Sequence, residues 1–161
     1  MSDDDAAPTE VKPNATRTPL PTRRNQSLIS ALFVDVAPIP FASFQLRTPV
    51  LEVLQFAAET NWQDVFPVLD ENDKMAGVIT GNVVRLLATE RELEPLAIAM
   101  DAMQPPVSVR PEDDLRTAAE VLLSQNVREV PVVDDAGTIV GFLDESEVSR
   151  AYLDVTRRQA A

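Results

Sequence analysis

Hydrophobic and polar positions along the chain fall into a pattern that occurs twice. Phe66-Pro67-Val68-Leu69-Asp70, a short polar turn and Met75-Ala76-Gly77-Val78-Ile79-Thr80 return as Val130-Pro131-Val132-Val133-Asp134, a short turn and Ile139-Val140-Gly141-Phe142-Leu143-Asp144. Pro67 and Pro131, Asp70 and Asp134, and Gly77 and Gly141 each stand 64 residues apart. Short apolar runs on either side of a polar turn predict a hairpin in each copy. A fixed period predicts two copies of one supersecondary unit that stack and share a core. Two such units also create a pseudo-twofold axis with paired clefts.

The flanking residues extend the unit. Val50, Val53, Leu54 and Ala57 recur at helical spacing behind Thr48-Pro49, which predicts a helix ahead of the first hairpin. Thr80-Gly81-Asn82 opens a second helix through Val83, Val84, Leu86 and Leu87. In the second copy Val107-Ser108-Val109 reads as a short strand, and Pro111-Glu112-Asp113-Asp114 places acids where a helix dipole favours them. Leu115, Ala118, Ala119, Leu122 and Leu123 form an apolar helix face, and Asp144 to Arg158 closes the chain as another helix. Asn61 and Asn126 stand 65 apart, so the first copy holds one extra residue ahead of its hairpin. A leading helix is expected over Ser27–Phe33 and a connecting helix over Leu93–Met103. The fold class is α+β, two βαββα repeats packed about a pseudo-twofold axis. The expected organisation is a disordered arm over 1–26, the first repeat over 27–92, a connecting segment over 93–106 and the second repeat over 107–161.

Composition narrows the chemistry. The chain has 161 residues, 45% of them hydrophobic, with a formal net charge of −12. Residues 1–26 hold four acids (Asp3, Asp4, Asp5, Glu10) and four bases (Lys12, Arg17, Arg23, Arg24), so the whole excess lies in 27–161. So acidic a surface repels DNA, RNA and anionic headgroups, which argues against a nucleic-acid partner. There is no histidine and no cysteine. Ser-His and Cys-His nucleophiles and conventional zinc sites are thereby excluded, and no catalytic or metal-ligating residue is assigned. Asp70-Glu71-Asn72-Asp73-Lys74 has a calcium-loop look but lacks the glycine and the distal bidentate glutamate of an EF-hand, so it reads as a hairpin turn. The apolar neighbourhood from Leu28 to Phe44 is broken by Asp35, Pro38 and Pro40, which rules it out as a membrane span. The start, Met-Ser-Asp-Asp-Asp, lacks the regions of a secretory signal, and absence of cysteine favours a cytoplasmic setting.

Two such units resemble a tandem pair of CBS domains. The resemblance rests on Val130-Pro131-Val132-Val133-Asp134, Gly141-Phe142-Leu143, the leader Asp101-Ala102-Met103-Gln104-Pro105-Pro106-Val107 and their first-copy counterparts, and covers roughly residues 28–155. The run Ile98 to Pro106 and the ending Gly141-Phe142-Leu143-Asp144…Ala151-Tyr152 look most like the cytoplasmic CBS pairs of prokaryotic chloride-channel-family transporters. The resemblance implies a non-catalytic regulatory module. It would form a homodimer, bind an adenine nucleotide such as AMP, ADP or ATP between its units, and act on a channel or transporter in cis or in trans. No cofactor is firmly implied.

In such pairs a Gly-x-x-Thr/Ser-x-x-Asp motif supplies a carboxylate for both ribose hydroxyls, an acceptor-only group. Here the first copy reads Gly77-Val78-Ile79-Thr80-Gly81-Asn82-Val83, with Val83 at the acid position. The second reads Gly141-Phe142-Leu143-Asp144-Glu145-Ser146-Glu147, with Glu147 at the acid position and Asp144 in place of the hydroxyl. The resemblance therefore implies a cleft formed by Glu147 with Thr48, Trp62, Gln63, Asp64 and Phe66, Trp62 or Phe66 packing on adenine; Thr80 is the surviving hydroxyl. Plainer roles stand beside these. Asp144 and Glu147 fit a helix capping box, Thr80 fits a cap or turn, and Trp62 fits a partly buried packing residue. A purely structural dimerisation module without ligand is the alternative function.

Overall fold

The computed structural model describes residues 11–12, 29, 41–90 and 95–160. Two short strands, β1 (Val11–Lys12) and β2 (Phe41–Ala42), pair antiparallel. So Val11–Lys12, placed in the expected arm, form a strand; the rest of that arm lies outside the described residues. The expected leading helix lies outside them too, apart from Ile29, which is fully buried and donates its N–H to Asp113 O at 3.0 Å.

The first repeat then runs β3 (Phe44–Gln45), α1 (Val50–Glu59), β4 (Val65–Leu69), β5 (Met75–Thr80) and α2 (Gly81–Thr89). Strand β3 lies parallel to β4, and β4 antiparallel to β5. After α3 (Ala99–Ala102), the second repeat runs α4 (Leu115–Gln125), β6 (Glu129–Val133), β7 (Ile139–Asp144) and α5 (Glu145–Gln159). The two hairpins match residue for residue. Val65 faces Thr80, Phe66 faces Ile79 and Val68 faces Gly77, while Glu129 faces Asp144, Val130 faces Leu143 and Val132 faces Gly141, each 64 further on. Both hairpins carry their bulge at the same step, Val68/Leu69 and Val132/Val133.

The turns match as well. Asp70 Oδ1 accepts from Asn72 N and Lys74 N at 2.8 and 3.0 Å, and Asp134 Oδ1 accepts from Ala136 N and Thr138 N at 3.0 and 2.9 Å. An aspartate that ties down its own turn is the reason for Asp at both positions. The tip residue is left-handed in each copy, Asp73 at φ 59° and Gly137 at φ 81°. Lys74 Nζ donates to Ala136 O, joining one turn to the other.

Helix starts follow the caps expected of these residues. Thr80 Oγ1 accepts from Val83 N at 3.4 Å, and Asp114 Oδ1 accepts from Thr117 N at 2.8 Å. The Thr117 amide and hydroxyl hold the Asp114 carboxyl below its ordinary pKa. Asn126 ends α4 in the left-handed conformation at φ 51°.

Two expectations change. Of the connecting helix expected over Leu93–Met103, residues 93 and 94 lie outside the described residues; among the rest only Ala99–Ala102 is helical, because the residues around it spend their backbone on the stretch ahead of α1. Val50 N donates to Ala97 O at 2.9 Å, Ala99 N to Thr48 O at 2.7 Å and Met100 N to Leu46 O at 3.0 Å. The strand expected at Val107–Val109 reduces to a single parallel bridge, with Val109 N donating to Pro131 O (3.0 Å) and Val109 O accepting from Val133 N (2.9 Å).

The largest core cluster belongs to neither repeat alone. Val65 and Val78 of the first pack with Val109, Leu122, Val130, Val132, Leu143 and Val148 of the second. A second cluster joins Phe44, Val53, Phe66, Val68 and Ile79 with Ala99 of the connecting segment. That segment docks on β5 by reciprocal bonds between Val78 and Gln104, at 3.1 and 2.8 Å. Gly77 makes the docking feasible: a Cβ there would stand 2.6 Å from Gln104 O and 2.7 Å from Met103 Sδ. Gly77→Ala should therefore destabilise the protein by about 2 kcal/mol, since a backbone carbonyl must move. Urea denaturation measures this, and an unchanged midpoint would refute the packing described.

Candidate functional site

Each repeat makes the same backbone bond where its hairpin-closing helix begins. Gly81 N donates to Asp64 O at 2.7 Å, and Glu145 N donates to Arg128 O at 2.9 Å, the same bond 64 residues on. Both bonds tie the first residue of a hairpin-closing helix to the residue ahead of the neighbouring strand. The starts of β4 and β6 and the N-termini of α2 and α5 meet at one seam.

Glu129 holds the seam together. Its Oε1 accepts from Asp64 N at 2.6 Å and Val65 N at 2.9 Å. Val65 is the residue 64 before it, so Glu129 bonds its own counterpart across the pseudo-axis. Burial pushes the Glu129 carboxyl above its ordinary pKa, and the charges of Asp64 and Asp144 push the same way, while the two amides pull against them.

A cleft of about 630 Å³ opens over this seam. Its first-repeat wall comes from the end of α1 (Ala57, Ala58), the run Thr60 to Asp64, Phe66, and Val84 and Arg85 of α2. The second repeat contributes Arg128, Glu129 and Asp144 to Ser146. Trp62 is 53% exposed, its indole presented rather than buried. A smaller cleft of about 360 Å³ occupies the related place in the second repeat, between Leu122, Val127, Val148 and Ser149. There Val127 stands 64 residues after Gln63 and no aromatic residue lines the cleft, so the aromatic wall exists on one side only.

Four of the residues singled out from the sequence, Trp62, Gln63, Asp64 and Phe66, line the larger cleft. Gln63 has its side chain committed elsewhere: Nε2 donates to Ala42 O and Val65 O, and Oε1 accepts from Ala42 N, all at 2.8 Å. Phe66 is buried with ring centroids 5.5 Å from Phe44 and 6.4 Å from Phe56. Thr48, Thr80 and Glu147 are not among the lining residues. Thr48 Oγ1 accepts from Gln45 N at 3.0 Å, and Thr80 caps α2. Glu147 folds back so that Oε2 accepts from Asp144 N at 3.0 Å, while Asp144 Oδ1 accepts from Glu147 N at 2.8 Å, a complete capping box. Glu129 and Arg128 escaped the sequence reading. The signal for Glu129 was a carboxylate at the strand position that Val65 fills in the other copy.

Residues 98–154, which include the hairpin of the second repeat, match the CBS domain family model. The first repeat copies that hairpin's register, turn and bulge, and together the two repeats have the fold of a CBS-domain pair. The chain is 29% identical over 138 residues to the CBS domain-containing protein CBSX1, chloroplastic, of Arabidopsis thaliana, a match covering 68% of this chain and 58% of that protein's length. A crystal structure of CBSX2 in complex with AMP is similar at 28% identity and a TM-score of 0.55, over 71% of this chain and 88% of that one. A CBS domain-containing protein of Thermotoga maritima shares the fold at 24% identity and a TM-score of 0.61, over 76% of this chain and 89% of its own. Among the described residues no helix is long and apolar enough to cross a membrane.

Replacing Glu129 separates its two roles. Glu129→Ala leaves the Asp64 and Val65 amides without their acceptor and should cost about 2 kcal/mol. Glu129→Gln retains an acceptor oxygen and should cost less at neutral pH. A carboxyl raised in the fold contributes stability below the ordinary glutamate range of about pH 4 and loses it as pH rises through the raised value. Wild type should therefore lose stability relative to Glu129→Gln between acidic and neutral pH. Parallel pH profiles for the two proteins would contradict this placement of the carboxylate.

Proposed function

We propose that this chain is a non-catalytic regulatory module that takes an adenosine-containing ligand in the Trp62 cleft. The observation that carries the reading is the position of that cleft. Its walls come from both repeats, so a ligand there alters how one is held against the other. A ligand shifts a conformational equilibrium only through such differential contacts. Trp62, Ala57, Ala58 and Val84 offer an apolar wall suited to a purine face. The likeness to CBSX2, crystallised with AMP, supports adenosine as the common moiety, with AMP, ADP and ATP the first nucleotides to try.

A catalytic role has little to draw on. The chain contains no histidine or cysteine, and Glu129, the cleft carboxylate with a raised pKa, is occupied by two backbone amides. Leu51, Leu86, Leu123 and Leu153 are between 58% and 81% exposed on the outer helices, which supports self-association as a homodimer. The regulated partner is a membrane channel or transporter, in cis or in trans, on the strength of the chloride-channel-type residues 98–106 and 141–152, and the module works in the cytoplasm. A second reading, a dimerisation module without ligand, is favoured by one observation: Thr80 and Glu147 are both spent on helix caps.

The two readings part in a titration. Trp62 is the only tryptophan, so its fluorescence reports the cleft directly. AMP, ADP, ATP and S-adenosylmethionine should be titrated with thermal unfolding recorded in parallel. A ligand at about 100 times its dissociation constant should stabilise the fold by about 2.7 kcal/mol and change Trp62 emission. A dimer with neither response would favour the structural module. A strict monomer would count against both.

A further inference from the structure

The cleft has three features that ordinarily attract a phosphate, and this chain fills each with a carboxylate of its own. The Asp64 and Val65 amides point at Glu129 Oε1, 2.6 and 2.9 Å away. The N-terminus of α5 is closed by Asp144, which accepts from Glu147 N, and by Glu147, which accepts from Asp144 N. At the N-terminus of α2, Asp64 lies so near Gly81 that a Cβ there would come 2.1 Å from its Oδ1. Positive ends of helices favour anions, and here the anions are already in place.

The balance of charge points the same way. Four carboxylates, Asp64, Glu129, Asp144 and Glu145, line the cleft against two guanidiniums, Arg85 and Arg128. Arg85 also donates to Asn82 Oδ1. The field over the cleft is negative within a chain whose net charge is −12. A 5′ phosphate on an adenosine whose adenine packs beside Trp62 would share this cleft with the four carboxylates.

We infer that the cleft prefers adenosine derivatives without phosphate, neutral or cationic at the 5′ carbon, over AMP, ADP and ATP, and that Glu129 and Asp144 set this preference. The inference rests on the proposed adenosine site and narrows its ligand class. Titration calorimetry of the full chain with adenosine, 5′-methylthioadenosine, S-adenosylmethionine, AMP and ATP, in EDTA at low ionic strength, tests it. Adenosine should bind at least tenfold more tightly than AMP, and added salt should shrink that ratio because the repulsion is screened. Asp144→Asn keeps a good N-cap and should improve AMP binding at least threefold relative to adenosine. The wild-type ratio decides the matter even if the variant unfolds. AMP binding as tightly as adenosine would overturn this inference and leave the adenosine site standing. Absence of binding by every compound would remove the site and the inference together.

Discussion

Part of the first repeat's apolar surface is buried only against the second. Val65 and Val78 of the first repeat are wholly enclosed by a cluster whose other members come mostly from the second. Burying such valines contributes on the order of 1.5–3 kcal/mol each, which would be lost for Val65 and Val78 if the units separated. The shared core therefore fixes the pseudo-twofold axis. The axis in turn sets Asp64 beside Glu129 and places Gly81 and Glu145 in the lining of one cleft. The cleft is a consequence of this packing: strand starts and helix N-termini converge over the axis, where no side chain large enough to fill the space is supplied.

Departures from symmetry give the cleft its character. Val65 and Glu129 occupy equivalent hairpin positions, yet one is a core residue and the other a carboxylate that bonds its counterpart's backbone. Trp62 lines the larger cleft and no aromatic residue lines the smaller, leaving one broad cleft with an aromatic wall and one narrow cleft without it. Thr80 and Asp144 both cap helices, but the second adds a charge. Duplication supplied the architecture, and a handful of unequal substitutions gave the two sides different chemistry.

The sequence disclosed the hairpins, their 64-residue spacing and the caps because those features rest on local chemistry: Asp at a turn, Gly at a close approach, Thr or Asp before a helix. It misled where tertiary pairing overrode local preference. Leu93 to Met103 has helical spacing, but the backbone of Ala97 and Ala99 bonds the segment from Thr48 to Val50, and among the described residues 95–103 only four become helix. In the site, Trp62 and Asp64 were legible as polar or aromatic residues ahead of an apolar strand. Glu147 was singled out for a ligand, and its side chain is found in the cap. Glu129 was passed over because its partners lie 64 and 65 residues away, beyond the reach of any local rule.

The central claim is that a ligand binds across the seam and touches both repeats. Mapping amide chemical shifts as adenosine is added to the labelled protein tests it most directly. The account predicts that the largest shifts fall together on Trp62, Gln63 and Asp64 and on Arg128, Glu145 and Ser146. Shifts confined to one repeat, or gathered around Leu122, Val127 and Val148 in the smaller cleft, would contradict it.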